Sequence, residues 1–154
     1  MLSTVALFTM PLWPHHRLSS IPTSSLPGCA QDVGVRFGLL SLVGTGQFDL
    51  HLSVPLVFEY EDVLLRELPH LQVTKEAVEA LIDFHCAVAT HHPIFFLWRP
   101  FLRDPKDDMI LELAVKAGCE FIVTYNTRDF AGVEQFGIQA IEPGAFLQHI
   151  GALP

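Results

Sequence analysis

Apolar positions in this chain recur at two spacings, and the switch between them marks out its elements. "VRFGLLSLVGTG" (35–46) reads as a short helix that ends at Gly44 or Gly46. "QFDLHLS" alternates Phe48, Leu50 and Leu52, the period of a strand. Ser53 and Pro55 then open a helix over about 54–68, with Leu56, Tyr60, Val63 and Leu64 on one face. Thr74 caps a helix over about 75–90, and Glu76 and Glu79 suit its first turns. "IFFLW" (94–98) reads as a strand or an extended link. Asp104 or Asp107 caps a helix that ends at Gly118. "EFIVTY" is a buried strand, "GIQAI" (137–141) is another, and Pro143 begins a last helix to about 150. Strands alternating with helices predict an α/β fold, with a mostly parallel sheet covered on both faces.

The first 33 residues break this pattern. They carry two charged residues, Arg17 and Asp32, with four prolines and five serines. Only "STVALFT" (3–9) is rich enough in β-branched and apolar residues to suggest a strand. The composition divides the chain into a weakly ordered segment, 1–33, and one domain, 34–154. The apolar opening lacks Lys or Arg before it, and Pro11 and Pro14 interrupt it, so an export signal is not expected. No apolar run is long enough for a membrane span.

The 154 residues are half hydrophobic and 17% charged, a globular composition with a formal net charge of −8. Such a balance excludes nonspecific nucleic-acid binding through general basic charge, but allows a local site that acts on RNA. Cys29, Cys86 and Cys119 are widely spaced and form no CxxC, so reduced thiols in a cytoplasmic protein are expected.

Chemistry in an open parallel sheet gathers beyond the carboxyl ends of its strands. "IVTYNTRDF" leaves such an end and places Thr124, Asn126 and Asp129 there. Asp104, Asp107 and Asp108 join the same edge if 94–98 is a strand. Glu59 borders the apolar stripe of its helix and is the third candidate. Taken singly, each has a plainer role: Asp before a helix is more often a cap, Glu59 a solvated or salt-bridged helix residue with Arg66 nearby, and Asn126 and Asp129 turn formers. Together they can form a site. Two carboxylates at 4 Å repel by about 4 kcal/mol at an effective dielectric of 20, which a proton or a hard cation relieves. Mg²⁺ or Mn²⁺ suits such oxygen donors and can activate water on a phosphodiester. Arg99, Arg103, Lys106 and Arg128 flank this edge, either guiding a phosphate backbone or balancing its charge. His85, His91 and His92 lack the spacing of a helical metal-binding pair, and no nucleophilic Asp pair ends the first strand as in a phosphatase.

The ordered set "LSVPLVFEYEDVLLR", "RDPKDDMILELAVKAG", "EFIVTYNTRDF" and "GIQAIEPGAFL" resembles the PIN-domain family over about 34–150. It is most similar to the branch of toxins from bacterial toxin–antitoxin pairs. The resemblance implies a three-layer α/β/α sandwich and Mg²⁺- or Mn²⁺-dependent cleavage of RNA by clustered acids. It also implies a small antitoxin partner and a cytoplasmic setting, with no membrane and with room for a homodimer. Glu59 matches the acid of the family's second motif. Asp107 matches the acid opening the central helix, with Asp104 and Asp108 beside it, and Thr124 matches the polar strand end. Asn126 stands where many members have Asp, and Asp129 can supply the carboxylate just after it. The resemblance thus names Glu59, Asp107 and Asp129 as catalytic and metal-binding, with Asp104 and Asp108 as further ligands.

One part departs from the family. Its members open with a central strand ending in "DTN", whose Asp is a principal ligand. The nearest approach here, "VALFTM" (5–10), has Phe8 in that place. The first strand is therefore expected to be absent or atypical. A change of reading frame or a misplaced start upstream of Val33 would account for the shift in composition, and predicts a "DTN" strand encoded in another frame of the upstream DNA. Two functions follow: a toxin-type endoribonuclease, or a PIN-fold remnant impaired in catalysis that keeps partner binding.

Overall fold

The structure, a computed structural model, describes residues 3–9 as backbone, Val35, and residues 38–69, 73–94 and 101–153. Five strands form one sheet: β1 (Ser3–Thr9), β2 (Phe48–Leu52), β3 (Thr90–His91), β4 (Phe121–Thr124) and β5 (Gln139–Ile141). Every pairing is parallel, and the spatial order is β3-β2-β1-β4-β5. Four helices connect or follow them: α1 (Val54–Glu67), α2 (Lys75–Val88), α3 (Pro105–Ala117) and α4 (Pro143–His149). Residues 38–42 are also helical.

The expected strand "STVALFT" forms, and it takes the centre of the sheet. Val5 and Ala6 stand opposite Leu50 and His51 of β2, and opposite Phe121 and Ile122 of β4 on the other side. This corrects the expectation of an absent first strand; without an acid, its composition stays atypical. The register against β4 shifts between Ala6 and Phe8, so that Phe8 pairs with Val123 and Thr9 with Thr124. Leu7 is the extra residue, a bulge of the kind that twists a strand near its end. The boundary placed at Val33 falls among residues outside the described set.

The edge strand β3 was not among the expected elements: Thr90 and His91 pair with His51 and Leu52. Residues 95–98 lie outside the described residues. The chain reaches the sheet as soon as α2 ends at Val88, earlier than the apolar run alone indicates.

Burial explains the layers. Residues in β4 are all buried, yet they face opposite ways. Phe121 and Val123 pack with Phe48, Leu50, Leu39, Val43, Phe146 and Leu147. Ile122 packs on the other face with Leu111, Leu113, Ala114, Phe130 and Val133. The two clusters make a three-layer α/β/α sandwich, with α3 lying over β1 and β2.

Helix α3 follows from its ends. The Asp104 side chain accepts from the Lys106 backbone N–H at 2.9 Å, and Pro105 fits the first turn, where its missing N–H costs nothing. Gly118 stops the helix at φ 66°, in the left-handed region, and its N–H bonds to Ala114 and Val115 carbonyls. Thr74 caps α2 as expected, accepting from Ala77 N at 3.2 Å.

Leu113 is fully buried between α3 and the sheet. Leu113→Ala should therefore cost about 3 kcal/mol through lost contacts and a residual cavity. Urea unfolding should show the midpoint fall while the slope stays constant. An unchanged midpoint would contradict this packing.

Candidate active site

The strand order reverses between β1 and β4, so a crevice opens beyond their carboxyl ends. Thr124 closes β4 and is buried; its Oγ1 accepts from the Asn126 backbone N–H at 3.0 Å. That bond turns the chain into a short 3₁₀ helix, Thr127–Phe130, anchored by buried Phe130. The Asn126 side-chain amide then donates to the Asp129 carboxylate. The expected polar edge of Thr124, Asn126 and Asp129 is thus one continuous arrangement.

Helix α3 brings its acids to the same crevice, but the three Asp residues have different tasks. Asp104 is the cap. Asp108 turns back to the preceding loop, where Oδ1 accepts from the backbone N–H of Leu102 at 2.8 Å and of Phe101 at 3.0 Å. Its Oδ2 lies 3.2 Å from the same Phe101 nitrogen. The Asp107 carboxylate has no hydrogen-bond partner among the described residues and is half-buried. Burial pushes its carboxyl up to about 6, with the charges of Asp104, Asp129 and Asp108 adding to the effect.

Glu59 is engaged elsewhere. Its Oε1 lies 2.5 Å from Lys106 Nζ, an ion pair joining α1 to the first turn of α3. That hydrogen bond is also the leading reason that the Lys106 ammonium holds its proton more tightly than usual. Arg66 lies 3.7 Å from Asp62 on the same helix. Arg103 and Arg128 are exposed beside the crevice, and Arg99 lies outside the described residues.

As placed, the donors among the described residues do not assemble a divalent metal centre. Among the described residues, no three of His, Cys, Asp and Glu converge closely enough to hold a metal ion. Glu59 is held by an ammonium, Asp129 by an amide and Asp108 by backbone N–H groups. Position 8, at the end of the central strand, is phenylalanine, which has no donor atom. Asp107 and Asp129 remain as a pair.

The family model described as PIN domain matches residues 26–128, which is 103 of the 154 residues. The chain belongs to the PIN-domain family. Its β1 lies before the matched span. PIN domains are generally nucleases and typically depend on divalent metal. No curated protein and no solved structure gives a significant match to the chain. Among the described residues, no helix is long and apolar enough to cross a membrane.

Several contacts of this PIN domain had no signal in sequence spacing. The Lys106–Glu59 pair spans 47 positions. His92 was a weak metal candidate; its Nε2 lies 2.9 Å from Nδ1 of buried His51, a link between the sheet edge and β2. His85 and His91 are bonded to the carbonyls of Leu81 and Cys86, each at 2.7 Å.

The raised Asp107 carboxyl has a consequence for stability. The folded chain holds this proton more tightly than the unfolded chain, whose reference value is 3.8. The group is therefore neutral to stability below that value and a growing cost from there through about 6 and above. Asp107→Asn should stabilise the protein by about 1 kcal/mol near about pH 7.5, after a discount for its exposed half, and by nothing near about pH 2.5. Denaturant midpoints at the two pH values test this; an equal gain at both would refute the ionisation argument.

Proposed function

We propose that this protein is a PIN domain of the RNA-cleaving toxin branch whose own cleavage centre is impaired. Its ligand class is single-stranded RNA, its family cofactor Mg²⁺ or Mn²⁺, its partner a small antitoxin protein, and its setting the cytoplasm. The observation that carries this reading is Phe8: the central strand is in place, but its carboxyl end offers a residue that cannot bind a cation.

The other features agree. Asp107 and Asp129 persist at the β1–β4 crevice, where the family resemblance assigns metal-binding and catalytic acids. Exposed Arg103 and Arg128 suit contacts with a phosphate backbone, and such contacts position a strand without reading its sequence. Val54 and Phe58, one turn apart on α1 and 62% and 65% exposed, offer an apolar strip to a protein partner. In an active member, the divalent cation supplies charge stabilisation to the phosphodiester transition state. With phenylalanine at position 8, this reading gives the chain the binding of RNA and partner as its role.

Restoring the lost acid tests the proposal. The parental chain should cleave single-stranded RNA at background rate in Mn²⁺, and Phe8→Asp should raise the rate by at least about tenfold, or about 1.4 kcal/mol of barrier. Adding Asp107→Asn should remove the gain. Circular dichroism and thermal melting establish that each variant is folded. A folded Phe8→Asp protein that stays inert at high Mn²⁺ would end the ribonuclease reading. Parental cleavage that persists in excess chelator would end the metal-dependent one.

A further inference from the structure

On the loop leading into α3, Phe101 is an aromatic residue that is 41% exposed and yet firmly held. Its backbone N–H donates to Asp108 Oδ1 at 3.0 Å, and the Leu102 N–H donates to the same oxygen at 2.8 Å. Those bonds use peptide groups, so they ask for no particular side chain at position 101. The ring reaches the segment after β4. It meets Phe136 in a T-shaped contact, with centroids 5.3 Å apart and planes at 82°. Its tip leans on Gly132, where a Cβ would come within 3.2 Å of the Phe101 Cζ. Phe101 thus joins two segments that carry candidate site acids: α3, through Asp108, the neighbour of Asp107, and the turn that follows Asp129. With its tip covered, the ring leaves its flank to solvent. Phe58 and Phe84 are also exposed, but they stand on α1 and α2 rather than at this junction.

A half-exposed ring forfeits part of the roughly 1.5–3 kcal/mol that full burial gives. No wider apolar patch surrounds it, since Leu102, next in the chain, and Val133, next to Gly132, are both buried. Cations accompany it instead. Arg103 lies two residues on, a backbone reach of at most about 7 Å, and Arg128 precedes Gly132 by one turn of chain. Both are exposed, and neither forms an ion pair among the described residues. A fixed aromatic flank with arginines nearby suits single-stranded nucleic acid: a base stacks on the ring, and the cations take phosphates.

We propose that Phe101 is a stacking platform for one nucleobase of a single-stranded RNA, with Arg103 and Arg128 as phosphate contacts of the same strand. The inference rests on the RNA-binding reading above and adds the residue that receives a base. It concerns binding alone, and no metal enters it.

The measurement is fluorescence anisotropy of a labelled single-stranded RNA of about eight nucleotides, titrated with the full chain in chelator. The parental chain should bind with an affinity that falls as salt rises. Phe101→Ala should weaken binding at least about fivefold, the low end for one stacked base, without changing the salt dependence. Phe101→Leu keeps apolar bulk without an aromatic face and should lose as much, while Phe101→Trp should bind at least as tightly as the parent. Arg103→Gln with Arg128→Gln should instead lower the salt dependence. An abasic strand of the same length should bind the parent and Phe101→Ala alike. Circular dichroism and thermal melting establish that each variant is folded; if Phe101→Ala is not, the comparison of leucine with tryptophan decides. RNA binding that Phe101→Ala and Phe101→Leu leave intact would overturn the platform and leave the RNA reading standing, as would an abasic strand that still separates parent from variant. A parental chain that binds no RNA would end both.

Discussion

The architecture depends on one run of backbone pairing, that of Ser3–Thr9 with both neighbours. A strand with partners on two sides satisfies its own N–H and C=O groups and half of those on β2 and β4. Remove it, and the sheet becomes two pairs with two open inner edges and an apolar seam under α3. The helices have a single sheet to pack on because this strand is present. The crevice at the carboxyl ends exists for the same reason, since the reversal of strand order takes place at β1.

Beyond that crevice the controlling quantity is uncompensated negative charge. Five acids reach the region, and they meet it in four ways. Asp104 and Asp108 are held by backbone N–H groups, Glu59 by an ammonium and Asp129 by an amide. Asp107 is left with burial and like charge, and its raised proton affinity records that. The same side chains that resemble a ligand set therefore also serve as caps, loop fasteners and ion-pair partners. Geometry, more than residue type, decides between the two roles.

The elements were largely legible from spacing and end signals. Ser53 and Pro55 before α1, Thr74 before α2, and Asp104 with Gly118 around α3 are local chemistry, and local chemistry is readable in one dimension. The strand at Thr90–His91 was not legible. It has only two exposed residues, and its place follows from where α2 delivers the chain rather than from any apolar pattern. Among the acids, the edge they share was readable, because a strand end and a helix start each announce themselves. Their partners were not. Lys106 and Glu59 are far apart in sequence, and Asp108 bonds backbone groups that carry no residue-type signal.

The place of Phe8 separates two kinds of selection. Hydrogen bonds along a central strand are made by peptide groups and are indifferent to what the side chains can do. A run of β-branched and apolar residues can therefore keep the middle of a sheet occupied after its chemistry has gone. On the proposed reading, shape and reactivity come apart at a single residue, and a protein in that condition is free to be kept for what it touches.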